Sequence, residues 1–110
     1  MTDGESIRGL FRRGKRIKTP HLDVFASPSP AVRSRVALVV PKHRRSAVAR
    51  NRLKRRLREI ARVEMLPRMD ARAARSDILI RAHASAYEAT FADLRQELVH
   101  WVDRRWPDAP

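Results

Sequence analysis

The chain of 110 residues has no cysteine, three glycines and 5% aromatic residues. Without thiols there is no disulfide scaffold, no thiolate zinc site and no cysteine nucleophile. Gly4, Gly9 and Gly14 are too few and too dispersed for a glycine-rich phosphate loop. No apolar run approaches the roughly 20 residues a membrane span needs, so no membrane partner is expected. Residues 1–14 carry Asp3, Glu5 and Arg8 where a secretory signal would be apolar. Acidic side chains are scarce as well: 12 Asp and Glu face 25 Lys and Arg, for a net charge of +13. These shortages point to one domain over residues 1–110, cytoplasmic, with a polyanionic partner.

The charge is unevenly placed. Residues 70–110 hold six Arg against seven acids, whereas residues 1–69 hold nineteen Lys and Arg against five acids. Between Lys42 and Arg62 ten basic side chains accompany one acid, Glu59. Self-repulsion at that density destabilises a compact state unless a partner neutralises it.

Periodicity gives the elements. Ile7, Leu10 and Phe11 suggest a short helix over residues 6–13, stopped by Gly14. Residues 21–26 alternate as a strand, with Leu22, Val24 and Ala26 on one side and Phe25 on the other. Ser27-Pro28-Ser29-Pro30 reads as a turn. Residues 35–40 form an apolar run closed by Pro41, expected to be a central strand buried on both faces. Ser46 opens the main helix, expected to last to about Met65 with Pro67 beyond its end. Residues 77–82 read as a third strand. A second long amphipathic helix ends near Trp106 and starts at Ser85 or Thr90, since Ser85-x-x-Glu88 and Thr90-x-x-Asp93 both resemble capping boxes. The expected class is α+β: a mostly antiparallel sheet of about four strands with three helices. The order is α-β-β-α-β-α, with room for one extra short strand.

The main helix carries the functional signal. Ala49, Leu53, Leu57, Ile60 and Ala61 fall on one third of its circumference and read as the core stripe. Arg50, Lys54 and Arg58 follow at i, i+4, i+8 on the neighbouring arc, with Asn51, Arg55 and Arg62 beside them. Each like-charged i, i+4 pair destabilises an isolated helix by roughly 0.2–0.5 kcal/mol. Glu59 is expected to relieve Arg55 or Arg56. Phosphate contact with counterion release supplies the rest. Asn51 could hold a sugar or base edge, or act as an ordinary surface amide. Phe25, beside a basic loop, suits either a stacking platform for unpaired bases or core packing. A basic membrane-surface helix is excluded because the face opposite the charges is needed for the core.

Catalytic groups are not evident. His21, His43, His83 and His100 show no ligand spacing, and Glu59, Glu64, Asp70 and Asp77 lie on separate elements. Neither catalytic nor metal-binding residues are expected in the protein itself.

The run Ala47-Val48-Ala49-Arg50-Asn51-Arg52-Leu53-Lys54-Arg55-Arg56-Leu57-Arg58-Glu59 resembles the signature of the bacterial ribonuclease P protein subunit. Phe11-x-x-Gly14-Lys15-Arg16, residues 35–40 with Lys42, residues 77–81 and Phe91-Ala92-Asp93-Leu94 extend the likeness over residues 7–102. Ile7, Pro41, His43 and Arg45 depart from the family pattern. The resemblance implies one α+β domain with a left-handed crossover into the basic helix. It implies a non-catalytic subunit that docks on a catalytic RNA and on the 5′ leader of precursor tRNA. The RNA removes that leader with Mg²⁺ that it binds itself, and no protein partner is required. Carried over by position, Lys42, Arg50, Asn51, Arg52, Lys54, Arg55 and Arg58 would contact RNA. Phe11, Lys15, Arg16 and Phe25 would line a leader cleft between the first helix and the sheet. The alternative is a basic DNA-binding or ribosome-associated protein without a role in cleavage; groove reading would call for a helix-turn-helix or a zipper, and neither pattern appears.

Overall fold

A computed structural model describes Gly9, residues 14–28 and residues 34–107. Gly9 is helical and buried; the rest of the expected first helix, Phe11 included, lies outside the described residues.

Four strands form one sheet: β1 (Lys15–Lys18), β2 (Leu22–Pro28), β3 (Arg35–Val39) and β4 (Ser76–Ala82). Their order is β1-β2-β4-β3. β1 and β2, and β2 and β4, are antiparallel, whereas β3 runs parallel to β4. β1 is the extra short strand, formed by the basic stretch after Gly14. The expected turn at residues 27–30 gives way to a longer strand, since Ser27 and Pro28 pair with Asp77 and Ser76. Pro28 is tolerated because it ends the strand, where its missing N–H costs least.

The expected central strand is instead an edge. β4 is central, with every residue but Arg81 buried, whereas only Ala37 of β3 is buried. The apolar run of β3 does contact both sides: Val36 and Leu38 meet the main core, while Ala37 and Val39 pack with Phe25 and Leu79 on the other face. An edge strand covered on both faces reads like a central one, because the pattern reports face burial and not ladder partners.

The main helix α1 (Ala47–Ile60) widens into a π-helical turn over Ala61–Met65 and continues as α2 (Leu66–Ala71). The expected stop before Pro67 therefore does not occur. Pro67 falls in the first turn of α2, where its lacking N–H is least needed. Leu66 N–H donates to Ala61 O across the wide turn. Leu53, Leu57, Ala61, Met65 and Met69 are all buried at i+4 spacing. In an unbroken α-helix that spacing would drift by about 160° from Leu53 to Met69. A turn holding an extra residue takes up part of the drift and keeps the methionines on the core.

After β4 comes a 3₁₀ turn (Ala84–Tyr87) and then α3 (Phe91–Arg105). Of the two candidate boxes, Thr90 and Asp93 make the real one: Thr90 Oγ1 accepts from Asp93 N, and Thr90 N donates to Asp93 Oδ2. The helices cover one sheet face. There Leu22, Val24, Ile78 and Ile80 meet Leu53, Leu57, Met65, Leu94 and Leu98.

Candidate nucleic-acid interface

The chain enters α1 through a tight turn. Arg45 N donates to Lys42 O, and the two residues between, His43 and Arg44, have φ of 46° and 63°. Left-handed backbone at two non-glycine residues is strained and is held from outside. Tyr87 donates its hydroxyl to Pro41 O at 2.5 Å, and Arg45 sits over the Tyr87 ring while pairing with Glu88 at 2.7 Å. Ser46 caps the helix by accepting from Ala49 N. Arg50 Nε donates to Val40 O at 2.7 Å, tying the first turn of α1 to the end of β3.

That bond splits the predicted set. Arg50 and Lys54 are half-buried on the flank of α1, whereas Asn51, Arg52, Arg55 and Arg58 are exposed. With Arg62 these four occupy roughly 120° of arc at 3.6 residues per turn. Among the described residues, Arg52, Lys54, Arg55, Arg56 and Arg58 make no side-chain hydrogen bond or ion pair. Lys42 and Arg44 are likewise exposed and unpaired at the helix entrance. The acids nearby are committed elsewhere. Glu59 takes Arg62 at 3.0 Å instead of the expected Arg55 or Arg56. Glu64 takes Arg68 at 2.7 Å and Arg95 at 3.1 Å, and Arg95, then Arg68, hold its carboxyl below the usual range. Val48, 70% exposed, lies at the middle of the cationic arc, an apolar spot that periodicity alone did not single out.

A second surface lies across the sheet. The register sets Phe25 opposite both Arg16 and Leu79, and Leu79 opposite Ala37. Phe25 is only 6% exposed and packs with Ala37, Leu79 and Val39. Cations surround this small floor. Arg16 reaches Asp23 at 3.4 Å, Arg35 grips Asp77 through two bonds at 2.8 and 2.6 Å, and Arg81 is exposed with no ion pair among the described residues. Asp23 also binds His83 Nε2 at 2.9 Å. Burial pushes the Asp23 carboxyl up, but His83 and Arg16 outweigh it and leave it below the usual range. Asp77 raises Arg35 further above its ordinary value.

The site residues thus separate. The cationic face of α1 belongs to the helix layer, and Phe25 with Arg16 belongs to the opposite sheet face. Lys15, one residue before Arg16 and so on the other face, stands opposite Ala26 on the helix side. Arg81 was missed, although its place two residues after Leu79 in the β4 alternation puts it on the Phe25 face. No group of three His, Asp or Glu among the described residues could hold a metal ion. No helix there is long and apolar enough to cross a membrane.

A small mixed sheet with a cationic helix largely unpaired among the described residues on one side, and a cation-rimmed aromatic floor on the other, defines a class: small α+β proteins with two cationic surfaces. Similarity to known proteins narrows it. The family model described as Ribonuclease P matches residues 1–105, and the chain belongs to that family. A ribonuclease P protein component of Acidothermus cellulolyticus is 36% identical over 102 residues, covering 89% of this chain and 80% of that protein. One from Thermus scotoductus is 46% identical over 70 residues, 64% of this chain and 39% of that protein. The chain therefore spans between two fifths and four fifths of these relatives. Among solved structures, the Staphylococcus aureus RNase P protein superposes with a TM-score of 0.80 at 20% identity, covering 96% of this chain and 93% of that one. The Thermotoga maritima RNase P protein in complex with 1-(4-fluorophenyl)-2-thiourea gives 0.79 at 23% identity, covering 94% and 97%. The fold is that of these proteins.

Proposed function

We propose that this chain is the protein subunit of a ribonuclease P, which binds the catalytic RNA and the 5′ leader of precursor tRNA and assists removal of the leader. Family membership supports the reading. The observation that carries it is the row of arginines on α1 left without carboxylate partners. Arg52, Arg55 and Arg58 meet phosphates of the RNA subunit, with Lys42 and Lys54 on the flanks and Asn51 free to bond a sugar or base edge. Arg50 reaches the same RNA while fastening α1 to β3. The Phe25 face takes the single-stranded leader, with Arg16 and Arg81 on its phosphates; Phe11 completes the proposed contacts, and Lys15, on the helix side of β1, stands apart from them. Mg²⁺ stays with the RNA, which performs the hydrolysis, and the protein lowers the Mg²⁺ demand by screening phosphate repulsion.

Cleavage of precursor tRNA by a cognate RNA subunit at low Mg²⁺, with and without the chain, tests this. Added protein should restore cleavage that the RNA alone loses. Equal rates would reject the reading and favour a DNA-binding or ribosome-associated role. Phe25→Leu keeps an apolar side chain in the small cluster while removing the ring. It should weaken leader binding by about 1–3 kcal/mol if stacking matters; an unchanged Kd for leader-bearing substrate would make Phe25 purely a packing residue.

A further inference from the structure

Between β1 and α3 lies a groove of about 940 Å³, with Lys15, Ile17 and Lys18 on the strand side and Trp101, Arg104 and Arg105 on the helix side. Its strand-side floor lies apart from both surfaces above: Lys15 and Ile17 stand opposite Ala26 and Val24, on the face away from Phe25, while Lys18, opposite Asp23, lines the groove from the last position of β1. β1 is the sheet edge farthest from β3 and the entrance to α1.

The walls are fastened together. Glu97 Oε1 accepts from Thr19 Oγ1 at 2.7 Å and from His21 N at 2.8 Å, while its Oε2 meets His21 Nδ1 at 2.5 Å. Those bonds absorb the one carboxylate deep in the groove and fix its width. Asp93, at one end, is held in the Thr90 capping box. The cations are left over. Lys15, Lys18 and Arg104 have no hydrogen bond or ion pair among the described residues. Arg105 lays its guanidinium over Trp106 at 5.2 Å.

Two buried side-chain donors among the described residues lack an acceptor, Trp101 Nε1 and Arg105 Nε, and both belong to residues of this groove. Trp101 is 5% exposed. A buried donor without an acceptor costs the molecule its desolvation. The occupant's charge is set by the cations around the groove: Lys15, Lys18 and Arg104, free among the described residues, call for an anion. Ile17, 39% exposed, adds an apolar patch suited to a ribose or base edge.

We propose that this groove is a further RNA site, holding the phosphodiester backbone of a single strand apart from the α1 and Phe25 surfaces. The proposal rests on the reading of the chain as an RNA-binding subunit. It says that a strand can follow the protein around the β1 edge, with Lys15 and Lys18 on one side of it and Arg104 and Arg105 on the other.

The two tryptophans of the chain, Trp101 and Trp106, lie in or beside the groove, so intrinsic fluorescence reports on it and not on α1. Titration with an eight-nucleotide oligouridylate should give a saturable, salt-sensitive change. Lys18 and Arg104 are exposed and unpaired, so the double variant Lys18→Ala/Arg104→Ala should fold normally, as a melting curve will verify. It should weaken the fluorescence-detected affinity about tenfold and flatten the salt slope by about 0.7 for each phosphate no longer neutralised, with docking on ribonuclease P RNA retained. Arg52→Ala/Arg55→Ala should do the converse. No fluorescence response to the oligouridylate overturns the proposal, as does a response indifferent to Lys18 and Arg104. An equal response to an eight-residue oligoglutamate overturns it too. Failure to bind ribonuclease P RNA with the fluorescence titration intact would strike the proposed function and leave the groove standing.

Discussion

Arg50 and Arg52 are two positions apart in one signature and do different work. Arg50 donates to the carbonyl of Val40, a buried residue at the end of β3, whereas Arg52 projects into solvent with no partner among the described residues. Arg50→Ala should therefore cost about 1–2 kcal/mol in urea unfolding, while Arg52→Ala should stay within about 0.5 kcal/mol. Both should weaken RNA binding. Equal stabilities would mean that the Val40 bond contributes nothing to the junction. Asp23 gives a residue-level pH dependence. Its carboxyl lies below the ordinary value of 3.8 in the folded chain, held by His83 and Arg16 against burial. A depressed folded pKa stabilises the protein above the unfolded value, and that contribution is lost as pH falls through the folded one. Stability should thus decline below about pH 4, and Asp23→Asn should make the acid limb shallower, as read by denaturant unfolding across pH. An unaltered limb would assign acid sensitivity to other carboxyls.

At the scale of elements, the sequence disclosed most where period and cap chemistry agree. The core stripe of α1, the alternation of β2 and the Thr90 box are visible because each is a local pattern. Thr90→Ala should cost about 1 kcal/mol, measurable as a lower urea midpoint, whereas Ser85→Ala should be neutral because Ser85 lies inside a 3₁₀ turn and its side chain caps no helix. What escaped reading depends on distant partners. Pro67 looks like a stop until the π-helical turn before it moves the donor requirement elsewhere. The rank of β3 in the sheet follows from a pairing with β4 across 42 positions, Arg35 with Asp77, which no window of neighbouring residues contains. The division of Lys15 from Arg16 follows from the β1 pairing, and the basic stretch offered no alternation of apolar residues to announce a strand. The cationic arc itself was legible, but its outward centre lies near Asn51 and Arg55 and not at Arg50 and Lys54, which flank the core and the first of which bonds Val40 O.

For the molecule as a whole, the net charge of +13 sets a dependence on its surroundings. The free chain should gain stability as ionic strength rises from low to physiological, since screening relieves repulsion across α1. Bound RNA at one hundred times its Kd should add about 2.7 kcal/mol, read as an upward shift of Tm in the same buffer. A melting temperature indifferent to both salt and RNA would show that the cations do not strain the free fold. The sheet adds a constraint of order. β4 sits between β2 and β3 yet follows both in the chain. Beyond the β1–β2 hairpin, then, no part of the sheet can assemble on the ribosome until residue 82 has cleared the exit tunnel. Until then the arginine-rich segment has been made without the completed sheet it docks on. A chain cut short before β4 should consequently show no cooperative urea transition, whereas the full chain should.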